Sequence, residues 1–127
     1  MISIAVVTSL ALIEYLWIGF SVGQARTRYS VEAPATTGNE IFERWFRVQQ
    51  NTLEQLVVFL PSLWMFGHFV SSRLGGLIGL AFVAGRYLYA RGYVEDPQQR
   101  GRGFMIGFVA TAVLLAGALL GAVWRVL

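Results

Sequence analysis

Cysteine and lysine are absent from this 127-residue sequence, histidine occurs once and proline three times. Without cysteine there is no disulfide framework, no thiol nucleophile and no thiolate metal site, so any sulfur chemistry must come from a ligand. The single histidine, His68, cannot supply bis-histidine ligation of a haem within one chain, which weakens a respiratory-anchor reading. Charge is scarce too: 13% of the residues are charged and 56% are hydrophobic. A soluble domain is typically about 45 to 50% apolar. With a mean hydropathy of +0.59, the chain reads as an integral membrane protein.

Hydropathy marks four apolar segments, roughly Ile4 to Val22, Leu56 to Val70, Leu74 to Tyr89 and Phe104 to Val123. A helix crosses the hydrocarbon in about 20 residues, and none of the segments alternates as the strands of a membrane barrel do. The expected fold is all-α, a four-helix membrane bundle formed as one domain over residues 1–127. The first segment lacks a basic leader and contains Glu14, so it reads as a retained helix and not a cleaved signal.

Every basic residue apart from His68 is an arginine. Arg26, Arg28, Arg44 and Arg47 lie between the first and second apolar segments; Arg86, Arg91, Arg100 and Arg102 lie near or within the connection from third to fourth. Only Arg73 and Arg125 mark the opposite side. The positive-inside rule then puts the arginine-rich connections in the cytoplasm and both termini outside. That topology accounts for a pI of about 9.8 without nucleic-acid binding. The lack of lysine is first a compositional bias, although guanidinium also suits bidentate capture of carboxylates.

Local signals place the helix starts. Thr37-Gly38-Asn39-Glu40 has capping-box spacing, so the second helix is expected to begin near residue 38, with Arg26 to Thr37 as the one substantial loop. Asp96-Pro97-Gln98-Gln99 sets a capping carboxylate before a first-turn proline and starts the fourth helix near Pro97. Arg100 then falls near a helix amino terminus, where backbone amides favour an anion. Pro61 interrupts the hydrogen-bond ladder of the second helix. The glycine pairs 75/79, 103/107 and 117/121 permit close helix contacts in lipid.

Arg47, Asn51 and Glu54 recur at i, i+4 and i+7 and therefore share one face of the second helix. Arg86, Tyr89 and Tyr93 form a second column at i, i+3 and i+7. Ionisable groups at membrane depth usually face a protein interior or a polar cavity. These two columns offer guanidinium for carboxylates, a carboxylate for an amine, and amide and phenol groups for peptide-like atoms. The inventory fits a small zwitterionic peptide. Spacing alone is equally compatible with Arg47 and Glu54 neutralising polar neighbours and with tyrosines forming an interfacial belt.

At these residues the sequence resembles the MAPEG family, the membrane-associated proteins of eicosanoid and glutathione metabolism. The resemblance runs from Arg26 through Thr36-Thr37-Gly38, Phe42-Glu43-Arg44, Arg47, Gln49, Asn51, Glu54 and Pro61 to the block Arg86 to Tyr93 and Arg100. It implies a homotrimer with glutathione held between neighbouring subunits near the cytoplasmic face. Arg47, Asn51, Glu54, Tyr89 and Tyr93 match family residues that hold glutathione, with Arg86 in the same matched block. Arg26 and Gln49 match residues reaching across from the adjacent subunit. Arg100 matches the arginine that stabilises the thiolate.

By that resemblance the protein is a detoxifying glutathione transferase or glutathione-dependent peroxidase, without a metal, acting on lipophilic electrophiles or lipid hydroperoxides. Thr27, Gln55 and Gly101 depart from residues found in specialised eicosanoid-forming members, which favours the generic chemistry. The competing implication is a non-enzymatic lipid-binding protein of the same fold, against which the retained Arg47, Asn51, Glu54, Tyr93 and Arg100 argue. The short, lysine-free chain points to a bacterial inner membrane.

Overall fold

The computed structural model describes residues 1–127 and contains helices without strands. Helix α1 spans Ile2–Tyr29, α2 Glu40–Phe69 and α3 Ser72–Glu95; a 3-10 turn over Pro97–Arg100 leads into α4, Gly101–Val126. The short connections make sequential helices antiparallel, so α1 and α3 run in the same direction. The ends of α1 and α3 meet the starts of α2 and α4 at one arginine-rich end of the bundle.

Two helix boundaries differ from expectation. Helix α1 continues past its apolar segment to Tyr29 and ends at Ser30 in a left-handed conformation, φ 57°. Arg26 and Arg28 in its last turn complement the negative end of the helix dipole, so the loop is shorter than Arg26 to Thr37. Helix α2 begins at Glu40 and not near residue 38, because Gly38 has φ 135° and cannot lie in a helix. The cap is Asn39, whose side chain accepts from the Phe42 amide at 3.0 Å, and Glu43 Oε2 accepts from the Gly38 amide at 3.1 Å. Asn39→Ala should therefore cost about 1 kcal/mol, visible as a lower melting midpoint of the detergent-solubilised protein. At the other boundary, Asp96 accepts from the Gln98 amide at 3.1 Å and caps the turn as expected.

Helices α2 and α3 form the centre of the bundle, with α1 packed on both from one side and α4 on both from the other. Phe59 of α2 stacks on Phe82 of α3 with centroids 3.7 Å apart, and Ile4, Val7 and Ala11 of α1 close this core with Ala110, Leu114 and Ala118 of α4. Contact between α3 and α4 is closest where glycine removes the side chain. A Cβ built on Gly85 would lie 2.9 Å from the Gly107 nitrogen and 3.0 Å from the Gly103 oxygen. In lipid, where burial of apolar surface gives helices no reason to associate, such backbone proximity supplies the packing attraction.

Only 30 of the 127 residues are buried, and the outer surface displays Val6, Leu16 and Phe20 of α1 and Phe108, Leu119 and Leu120 of α4. That much exposed apolar surface requires lipid or further protein around it. Helices α1 and α4 are long and apolar enough to cross a membrane on composition alone. Helices α2 and α3 span 30 and 24 residues, but their halves at the arginine-rich end carry the two polar columns. The architecture is a membrane four-helix bundle in which the inner pair is polar at one end.

Candidate functional site

The two polar columns converge at the arginine-rich end. Arg47 and Asn51 from α2, Tyr89 and Tyr93 from α3, and Arg100, Gly101 and Phe104 from the start of α4 line a cavity of about 420 Å³. A volume of that size is within the range, about 300 to 1,000 Å³, usual for small-molecule sites. A second hollow of about 590 Å³ adjoins it, sharing Arg47 and Tyr93 and continuing along Thr36, Asn39 and Glu43.

Arg86 lies behind this wall and does not line it. The residue is 1% exposed, and its Nη2 donates to Asn51 Oδ1 at 2.8 Å and to Thr52 Oγ1 at 2.9 Å. The commitment of Oδ1 leaves the Asn51 amide nitrogen, a donor, for the cavity. Arg86 also lies 4.1 Å from the centroid of the Tyr89 ring, a cation–π contact that holds the ring, and Tyr93 packs against Tyr89 with centroids 5.6 Å apart. A buried cation thus orients an amide and a phenol.

The cationic groups of the cavity itself are more available. Arg47 Nη1 is 3.9 Å from Glu54 Oε1, and both side chains are more than half exposed, so the pair is weak and yields readily to a charged ligand. Arg100 is exposed, with Nη1 donating to the Pro97 carbonyl at 2.6 Å. It ends the 3-10 turn and leads directly into α4. At Gly101 an added Cβ would meet open space. Arg44 is different: Glu40 at 2.6 Å and the carbonyls of Val94 and Glu95 at 2.9 and 3.2 Å tie it between α2 and the end of α3.

The match of the MAPEG family model extends over residues 4–120. The chain belongs to the MAPEG family. Over 119 residues it is 39% identical to microsomal glutathione S-transferase 2 of Homo sapiens, covering 93% of this chain and 81% of that protein. It is 35% identical over 118 residues to leukotriene C4 synthase of Bos taurus, covering 93% and 79%. An uncharacterized protein of Synechocystis sp. is 46% identical over 121 residues, covering 95% and 88%.

Within this MAPEG bundle, Arg47, Asn51, Tyr89, Tyr93 and Arg100 share one cavity, and Glu54 adjoins it through Arg47. Arg26 and Gln49 lie elsewhere. Gln49 is two residues from Arg47, hence about 200° around the helix, and its amide nitrogen would be 3.3 Å from a Cβ on Gly19 of α1. Arg26 donates to the Ala35 carbonyl at 2.7 Å and packs over Phe42, 4.7 Å from the ring centroid. Both occupy the opposite flank of α2. The wall residues Gly101 and Phe104 escape a search for polar chemistry. For Phe104 a signal exists, because it follows Arg100 at i+4 and so shares its face.

Proposed function

We propose that this protein is a membrane glutathione transferase, with glutathione-dependent reduction of lipid hydroperoxides as a second activity of the same site. The observation that carries the reading is the convergence of Arg47, Asn51, Tyr89, Tyr93 and Arg100 on one cavity of a MAPEG bundle. Arg47 suits a glutathione carboxylate and Glu54 the γ-glutamyl amine, while the Asn51 amide and the tyrosine phenols suit the peptide atoms. Arg26 and Gln49, on the far flank of α2, are assigned to the site of the neighbouring subunit in a homotrimer. The cleft faces the cytoplasm and the termini lie outside, in a bacterial inner membrane.

A free thiol with a pKa of about 8.5 is only a few per cent thiolate at pH 7. Arg100 and the amides at the start of α4 favour the anion by charge and by hydrogen bonding. The thiolate sulfur forms the new bond to an electrophilic carbon, and the leaving group departs with the electron pair. With a hydroperoxide, sulfur attacks the outer oxygen and releases the alcohol. A second glutathione then attacks the oxidised sulfur, giving glutathione disulfide and water. The second thiol must be glutathione, because the chain has no cysteine. Phe104 and the lipid-facing surface beyond it provide the apolar approach for the acceptor.

Purified protein should conjugate glutathione to an aryl halide and oxidise it in the presence of a fatty-acid hydroperoxide. Arg47→Gln should raise the glutathione KM about tenfold, the cost of one charge-assisted contact, with kcat little changed. An absence of both glutathione binding and glutathione-dependent turnover would reject the assignment. In solution the detergent-corrected mass should be three times the 14.1 kDa chain.

A further inference from the structure

Arg86 supports the proposed site from behind, and its own support is incomplete. One guanidinium nitrogen serves both Asn51 and Thr52, the face rests on Tyr89, and Nε has no hydrogen-bond partner. A cation buried at membrane depth is retained only where an opposite charge or polar partners compensate it. Glu54 does not serve, being about three-fifths exposed and facing Arg47. Glu40, Glu43, Glu95 and Asp96 sit in or beside the end turns of α2 and α3, and Glu32 in the loop between α1 and α2. The remaining acid is Glu14.

Glu14 is the sole acidic residue of α1, and the register of α1 against α3 brings it to Arg86. Helix α1 meets α3 at Ser3 with Gly76 and at Val7 with Gly79. Ala11 enters the core cluster that contains Phe82, and Ile18 the cluster that contains Tyr89 and Ala90. The two contacts are offset by 73 and 72 positions and the shared clusters by 71 to 72, so the level of Glu14 on α3 is residues 85–87. Ala11, Glu14 and Ile18 also share one face at i, i+3 and i+7. Glu14 is accordingly half-buried, while Leu12, Ile13 and Leu16 point outward. No nitrogen–oxygen pair between Glu14 and Arg86 lies within 4.0 Å. A bridging water can join polar groups that lie too far apart for a direct hydrogen bond.

We propose that Glu14 is a positioning residue of the glutathione site: its carboxyl group secures Arg86, which in turn presents the Asn51 amide and the Tyr89 ring to the ligand. The inference rests on the glutathione reading above. It extends the site across α1, a helix that contributes no residue to the cavity wall.

Glutathione dissociation constants for Glu14→Gln, Glu14→Asp, Asn51→Ala and the Glu14→Gln/Asn51→Ala double variant test it. Glu14→Gln is expected to weaken binding about tenfold, in the range of coupled contacts, and Glu14→Asp by less than about threefold because the acidic group is kept. In the Asn51→Ala background, Glu14→Gln should cost clearly less than it does in the wild type, since the part of its effect that passes through Asn51 is already lost while the part through the Tyr89 ring remains. Should Glu14→Gln not fold, Glu14→Gln/Arg86→Gln is expected to restore the fold by removing the uncompensated cation. Binding by Glu14→Gln equal to wild type, an undiminished loss in the Asn51→Ala background, or no recovery of fold in the double neutral variant would each overturn the role. A wild type that binds no glutathione would overturn the functional reading and this inference with it, whereas normal wild-type binding with an unaffected Glu14→Gln overturns this inference alone.

Discussion

Arg100→Ala should keep glutathione in the cleft while losing most of its thiolate at pH 7. Arg100 is exposed and donates only to the carbonyl of Pro97 in its own turn, so its removal leaves the bundle intact. Arg47, Asn51 and the tyrosines remain to hold the peptide. What disappears is the cation at the start of α4. Lowering a thiol from about 8.5 to about 6.5 requires roughly 2.7 kcal/mol of differential stabilisation, a size appropriate to one positioned guanidinium. At pH 7 the thiolate fraction then changes from roughly three-quarters to a few per cent, a loss on the order of 25-fold.

The pH dependence separates this role from one in binding. Thiolate is the reactive form, so the wild-type rate should rise with pH through about 6.5 and level off, while the variant rises through about 8.5. At pH 9 the two rates should nearly converge. Arg100→Lys should recover part of the effect, because a point charge remains but the planar donor fork is lost. A constant deficit at every pH would instead assign Arg100 to orientation of the ligand.

The second large effect is structural and comes from a methyl group. In Gly103→Ala the new Cβ would fall on the backbone nitrogen of Tyr89 and within 2.6 Å of the Gly85 oxygen. Both are main-chain atoms of α3, so no rotamer change relieves the clash and the two helices must move apart. Forced overpacking of this kind costs about 1 to 3 kcal/mol, occasionally more. Tyr89 sits at the contact and in the cavity wall, so activity should fall along with the melting midpoint. Gly101→Ala, two residues earlier and with no neighbour within 4 Å of its Cβ, should melt as wild type does. If Gly103→Ala matched that control in stability, the close α3–α4 packing would be wrong.

Much of this arrangement was legible in the residues because helices in lipid leave strong local marks. The column Arg47, Asn51, Glu54 follows from helical spacing, and Asp96-Pro97 announces the turn that delivers Arg100. The start of α2 is ambiguous in the sequence because Thr37 and Asn39 are both competent caps. Only the positive φ of Gly38 decides between them. The full length of α1 is not legible because a polar last turn looks like a loop in a hydropathy profile. Arg86 lies on the same column as Tyr89 and Tyr93, yet packing turns its guanidinium toward Asn51 and Thr52. Periodicity within one helix carries no information about a partner on another. For the same reason the register that brings Glu14 level with Arg86 emerges only from packed helices.

The most direct test is an ultraviolet titration of glutathione into the detergent-purified protein at pH 7, with S-methylglutathione as the ligand that cannot ionise. A saturable thiolate absorbance is expected with glutathione alone, as is displacement of that signal by S-methylglutathione. Binding of both ligands without any thiolate signal, or binding of neither, would contradict a cleft built to ionise the glutathione thiol.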